Sequence, residues 1–275
     1  MKKILFFVLA VPVILSGCND NKKKAEILFQ RAELSFKSEN YSLAKLQIDS
    51  IRMLFPKEVD VRKAGISLMQ QIDMKEQYRT LAYLDSMMQI KQLALDSIKG
   101  RYTFEKDSVY QEVGNYFYPT QVVEKNIGRS FLRAQVNEIG EMSLTSIYTG
   151  GNNIHHTAVK VSINDGTFAE TPVSNDSYET TILGRAIEQA DYKVGKDGGV
   201  AAYIVAHQDK KIRLEFIGDR NYTVIMSSND VKAVVEISNL ARILAAMEEI
   251  RKEQKEANLK LRFVERKIQE SKVSE

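Results

Sequence analysis

The chain has little of what usually announces a chemistry. Its 275 residues include one cysteine, Cys18, so no intrachain disulfide can form and stability has to come from packing. Its N-terminal apolar run, Ile4 to Leu15, is twelve residues long and too short to cross a bilayer. With 39 basic and 36 acidic residues there is no broad positive footprint for nucleic acid. There is no Gly-x-Ser-x-Gly elbow and no phosphate loop ending in Gly-Lys-Ser/Thr. The glycine-rich run Gly195–Gly199 reads as a surface turn. Of three histidines, His155 and His156 are neighbours, which a strand would point to opposite faces and so away from a common ion; His207 is remote. With no free cysteine, zinc would need carboxylates placed by the fold. Glu170, Asp176, Glu179, Glu188 and Asp191 are close in sequence, but a glycosidase needs two carboxylates facing each other across a cleft. The expectation is no metal, no cofactor and no catalysis.

Glycine and proline are scarce outside the middle of the chain. Between Asn19 and Val113 there are two glycines, between Gly114 and Gly218 eleven, and after Gly218 none. Because glycine supports turns and weakens helix interiors, this predicts a turn-rich β domain over 113–228 between helical arms over 25–112 and 229–275. The fold class expected is α+β. It comprises an N-terminal helical hairpin and long helix, a mostly antiparallel β domain, and a long C-terminal helix that packs back as a coiled-coil-like arm.

In the first arm Leu28, Ala32 and Phe36 recur at helical spacing. Glu39-Asn40-Tyr41 interrupts them, Ala44, Ile48, Ile51 and Phe55 resume, and Pro56 ends the run. This hairpin resembles one tetratricopeptide repeat. Ala32, the Asn40-Tyr41 turn, Ala44 and Pro56 fall near its small, turn, small and proline positions, while Leu28 and Ser35 replace its usual aromatics. From Glu58 to about Val109 a long helix is expected, with Leu81, Leu84, Met88, Leu95, Ile98, Tyr102 and Val109 on a heptad seam that Gly100 interrupts. The far arm begins at Asn229-Asp230. It carries Ile237, Leu240, Leu244, Met247, Gln254, Leu261, Val264 and Ile268, with gaps at Arg251 and Asn258 and a mostly charged, exposed or frayed stretch over 248–260. The two seams pair either within one chain or, in a homo-oligomer, between chains.

In the middle, Ala158–Ile163 alternates and turns at Asn164-Asp165-Gly166 into Thr167–Ala169. Ser143–Tyr148, Ile212–Phe216 and Tyr222–Met226 read as further strands, and Thr181–Gln189 and Val200–His207 as strands or short helices. The aromatics Tyr110, Tyr116, Phe117 and Tyr118 before Pro119 suit either an interaction surface or packing against the arms.

The N-terminus supplies the most specific signal. Lys2 and Lys3, the apolar run, and then Leu15-Ser16-Gly17-Cys18 follow the order of a secretory leader and resemble the lipobox of bacterial lipoproteins. The resemblance implies a signal peptide over 1–17 and acylation of Cys18, with a lipidated tether over 18–24. The remaining 258 residues would carry 37 basic and 36 acidic groups. Lys22, Lys23 and Lys24 would lie beside anionic head groups or simply in solvent. Asn19, rather than aspartate, implies the outer membrane facing the periplasm. The function expected is a lipid-anchored envelope adaptor that meets an envelope protein partner. The alternative is a periplasmic lipoprotein whose β domain holds a small or lipidic ligand.

Overall fold

Asn40 shapes the hairpin. It caps α2 (Tyr41–Leu54) by accepting the Leu43 N–H at 3.2 Å, and Glu39 before it takes a left-handed conformation with φ 59°. The computed structural model describes residues 17–107, 109, 112–182 and 184–273, excluding the side chains of residues 17–19, 123 and 273. Among these, five α-helices and two antiparallel sheets form an α+β fold with a central β region and a long C-terminal helix.

The chain forms two compact units. One holds α1 (Gly17–Lys37), α2, the first part of α3 (Val59–Ile98) up to Tyr83, and the end of α5 (Ser228–Val273) from Gln254. Ala32, Ala44, Ile48, Leu68 and Ile72 form one core cluster in it, and Ala25, Ile51 and Val61 another. Gly65 lets α3 sit on α2, since a Cβ there would lie 3.2 Å from Ile48 Cγ2. Lys45 ties the same pair of helices, 2.7 Å from Asp73 and 2.6 Å from Glu76. The segment expected as a tether, 18–24, is the opening of α1 and is helical.

The other unit, Leu84–Glu253, holds the strands. One sheet runs in the order β1 (Thr103–Glu105), β2 (Asn115–Phe117), β3 (Phe131–Asn137), β4 (Met142–Gly150), β8 (Arg185–Lys193), β7 (Ser177–Ile182). The second runs β10 (Tyr222–Ile225), β9 (Arg213–Ile217), β5 (Ala158–Ser162), β6 (Phe168–Glu170). All pairings are antiparallel. Alternation places Leu132, Ala134 and Val136 of β3, Val159 and Val161 of β5, and Leu214 and Phe216 of β9 in one core. Val234, Ile237, Leu240, Leu244 and Met247 of α5 complete it with Leu95 of α3, and Met88 and Ile98 pack against it.

 Leu95 is 6% exposed there, and Leu84, the first residue of this unit, 2%.

Three expectations need correction. The helix after Glu58 ends at Ile98, not near Val109. Gly100, which resists helix, falls in a 3₁₀ turn (Lys99–Arg101), and Thr103–Glu105 then joins the sheet as its edge strand. The β region therefore begins at residue 103 rather than 113, and Tyr102 is buried in the core without being helical. The buried face of α5 passes through Ile250, Ala257, Leu261 and Val264 instead of Arg251 and Asn258. A three-residue step from Met247 to Ile250 moves the buried positions at 251 and 258 back by one, which keeps both polar residues outside; Leu261 and Val264 are buried as expected, and the helix continues unbroken to Val273. Of the two ambiguous segments, 181–189 lies in the β7–β8 hairpin, turned at Gly184 with φ 75°, and Val200–Ala206 is the short helix α4.

Asp230, in the first turn of α5, anchors that helix to the sheet. It is 3% exposed and accepts from the Nη1 and Nη2 of Arg129, each at 2.7 Å, with Ser227 Oγ donating at 2.7 Å. Burial alone would raise its pKa, but Arg129 and Ser227 hold it below the usual carboxylate range.

Candidate functional site

Strand alternation puts a carboxylate inside the β unit. On β8, Ala186, Glu188, Ala190 and Tyr192 face inward; on β4, Met142, Leu144, Ser146 and Tyr148 do so. Tyr148 pairs with Glu188 in register, and Ser146 with Ala190. The connection from β4 to β5 folds over this pair and inserts His156. Gly218 makes the approach possible, because a Cβ there would lie 2.2 Å from the Ile154 carbonyl oxygen; Asp219 N–H donates to that oxygen at 2.8 Å. His155 takes a left-handed conformation with φ 52°, which turns its ring out to solvent while His156 turns in.

The Glu188 carboxylate is fully engaged. Oε1 accepts the N–H groups of Ile154 at 2.6 Å and His155 at 3.0 Å. Oε2 accepts the N–H of His156 at 2.9 Å and its ring Nδ1–H at 2.9 Å. Burial pushes the carboxyl pKa up, but these hydrogen bonds outweigh it and the net shift is downward. Burial likewise holds the His156 imidazole below its ordinary value, against the upward pull of Glu188. An ionised carboxylate needs a donor, so neutral His156 carries its proton on Nδ1. Its free Nε2 then accepts from Ser146 Oγ at 2.7 Å, and Tyr192 Oη lies 3.3 Å from the same oxygen.

Carboxylate, imidazole and hydroxyl in this order are the relay of a serine nucleophile. Access decides against that use. Ser146 is 0% exposed, His156 2% and Glu188 1%, so no substrate carbonyl reaches Ser146 Oγ. What the arrangement does is pin the 154–156 segment to the sheet through four hydrogen bonds to one charge.

His155, Glu179 and Glu188 bring potential metal-binding atoms within 4.8 Å of one another. The chemistry does not fit an ion well. All four acceptor positions of Glu188 are taken by the protein, which leaves His155 and Glu179, and these pair with each other at 2.9 Å. Two surface ligands fall short of the three or four that zinc sites use. Glu179 raises the His155 pKa.

A second feature of the same unit is an open groove of about 860 Å³. Val205 and Ala202 of α4 form one wall, and Ala241 and Ala245 of α5 the other. The β3–β4 turn also lines it, through Asn137, Gly140 and Glu141. Gly140, with φ 85°, packs so tightly there that a Cβ would lie 2.2 Å from Ala245 N. Asp197, 2% exposed, accepts Ala201 N–H at 2.8 Å, so the glycine-rich 195–199 turn is tied to the first turn of α4.

The residues singled out from sequence do not converge. Tyr116 and Phe117 are 7% and 6% exposed, Tyr116 with its ring tilted against Phe104 at 4.7 Å and Phe117 beneath Arg133, so both are packed side chains. Tyr118 is half-buried against the core, and Tyr110 lies outside the described residues. Lys22, Lys23 and Lys24 are exposed on α1, Lys24 with Asp20 at 2.6 Å. The side chain of Cys18 also lies outside the described residues. Sequence reasoning missed the Glu188–His156–Ser146 network. The signal was the period-two pattern Ala186-Glu188-Ala190-Tyr192, which makes Glu188 an inward charge once that segment is taken as a strand. Comparison with protein-family models, curated proteins and solved structures finds no match to this chain.

Proposed function

We propose that this chain is a lipid-anchored envelope adaptor, acylated at Cys18, held at the outer membrane on its periplasmic face, and acting by contact rather than catalysis. One observation carries the adaptor reading. On α2, Leu43, Leu46, Met53 and Leu54 are 41%, 63%, 71% and 66% exposed, at helical spacing, while Ala44, Ile48 and Ile51 of the same helix fill the core. An exposed apolar stripe on a folded helix marks a contact surface, and its length of about 15 Å suits the apolar face of a partner helix. The partner is an envelope protein. A photo-crosslinking residue at Leu46 in living cells tests this. The expected result is one discrete adduct with an exported protein, lost in Leu43→Asp/Met53→Asp and absent when the probe is moved to Lys255. No adduct, or the same adducts from both positions, contradicts it.

A second reading, ligand binding, is favoured by the groove between α4 and α5. Its volume falls in the range of roughly 300–1,000 Å³ typical of small-molecule sites. It lies at the edge of the core and not inside the sheets, whose interior is filled by side chains.

A further inference from the structure

We infer that the α4–α5 groove binds a single-chain anionic amphiphile, its chain on the apolar walls and its charged head among the lining cations; this rests on the ligand-binding reading. Two independent features support it. The walls are short apolar side chains, including Ala202, Val205 and Ala241, which leave an open trough instead of filling it. An alkyl chain is the ligand that such a surface takes from water with gain. The lining carries charge of one sign in excess. Lys193 and Lys196 lie at the end of β8 and just beyond it, and Arg242 on α5, against a single carboxylate, Glu141.

Those cations are not used by the fold. Among the described residues none of the three forms a salt bridge; Arg242 donates to Asn239 Oδ1, a neutral group. Glu141 is already held by Asn137 Nδ2 at 2.8 Å. Unpaired cations around an apolar trough complement an anionic head on an apolar tail. They do not suit a neutral alkane or a cationic amphiphile.

The test uses the full chain in its own membranes and a photoactivatable, alkyne-tagged dodecanoate. Labelled peptides are read by mass spectrometry, with dodecanoate and dodecanol as competitors. The expected result is labelling within 193–206 and 238–245, displaced by dodecanoate at about tenfold lower concentration than by dodecanol, equivalent to ~1.4 kcal/mol. Ala202→Phe, which fills the trough, should abolish the label. Lys193→Glu/Arg242→Glu should remove the preference for dodecanoate while leaving the circular dichroism spectrum unchanged. If dodecanol competes as well as dodecanoate, the charge assignment is overturned and ligand binding stands. If these segments take no label, or Ala202→Phe leaves it intact, the groove is not a ligand site and both are overturned.

Discussion

Replacing Glu188 with alanine should be among the most damaging single changes in the β unit, although it removes a charge from an apolar core. The side chain is 1% exposed and accepts four hydrogen bonds, at 2.6, 3.0, 2.9 and 2.9 Å. Glu188→Ala strands three backbone N–H groups and the His156 Nδ1–H. A buried donor left without a partner costs about 1–3 kcal/mol, so four set an upper bound near ~12 kcal/mol. Relief of the buried charge and water entering the vacated space offset part of this. Removing one partner of a buried charged pair usually costs about 3–5 kcal/mol, the magnitude expected here. For a domain of this size that corresponds to a fall in Tm of roughly 6–20 °C. Thermal unfolding followed by circular dichroism measures it, with Glu253→Ala, an exposed change on α5, as reference. Glu188→Gln should fall between the two. Its carbonyl can still accept from Ile154 and His155, but its NH₂ faces the donors of His156. The ring should answer by moving its proton to Nε2, a change that ¹⁵N shifts of His156 report directly. If Glu188→Ala melts within a degree or so of Glu253→Ala, the hydrogen-bond reasoning is wrong.

Ser146 should not react with a fluorophosphonate probe in the folded protein, because it is fully buried; rapid stoichiometric labelling would make the relay catalytic after all. On acidification the β unit should lose stability. His156 has a folded pKa below its unfolded value of 6.5, so the unfolded chain binds the extra proton and stability drops as pH falls below about 6.5, with Glu188 and Asp230 adding loss of the same sign in more acid solution. His155, raised by Glu179, has the opposite sign, so the clean comparison is His155→Ala with and without His156→Gln between about pH 7 and pH 5; equal slopes would contradict the assignment. Leu84→Asp and Leu244→Asp, at positions 2% and 4% exposed, should each lower stability by about 3–5 kcal/mol, and a melting point that rises with protein concentration would instead place the pairing of the arms between chains. Gly140→Ala should cost ~2–4 kcal/mol by forcing a Cβ onto Ala245 at a left-handed φ; a neutral effect on the melting curve would mean that turn and helix are not in contact.

Period and punctuation carried most of the fold. The glycine distribution located the β region to within about ten residues, and heptad spacing found Leu240, Leu244 and Met247 at buried positions. Its errors arose where a local pattern had two continuations. Tyr102 and Val109 extended a helical seam arithmetically, but Gly100 released the chain and Thr103–Glu105 found an antiparallel partner in β2. Ile250 and Ala257 replaced Arg251 and Asn258 because the order of three- and four-residue steps differs locally, while Leu261 and Val264 are buried as expected. The polar network was legible only in part. The adjacency of His155 and His156 implied divergent rings, which is what the 154–156 segment provides, though through a left-handed residue and not a strand. That Glu188 would meet His156 depends on pairing β8 with β4 across some forty residues, a tertiary fact that no local window contains.

The central claim is that Cys18 anchors this chain by a lipid. Cells expressing the wild-type chain or Cys18→Ala, fed alkyne-tagged palmitate and separated into outer-membrane, inner-membrane and soluble fractions, test it most directly. The account predicts label on the wild-type protein in the outer-membrane fraction, with Cys18→Ala unlabelled and released from membranes by high salt. A wild-type protein without label, or a Cys18→Ala protein that stays with membranes at high salt, would contradict it.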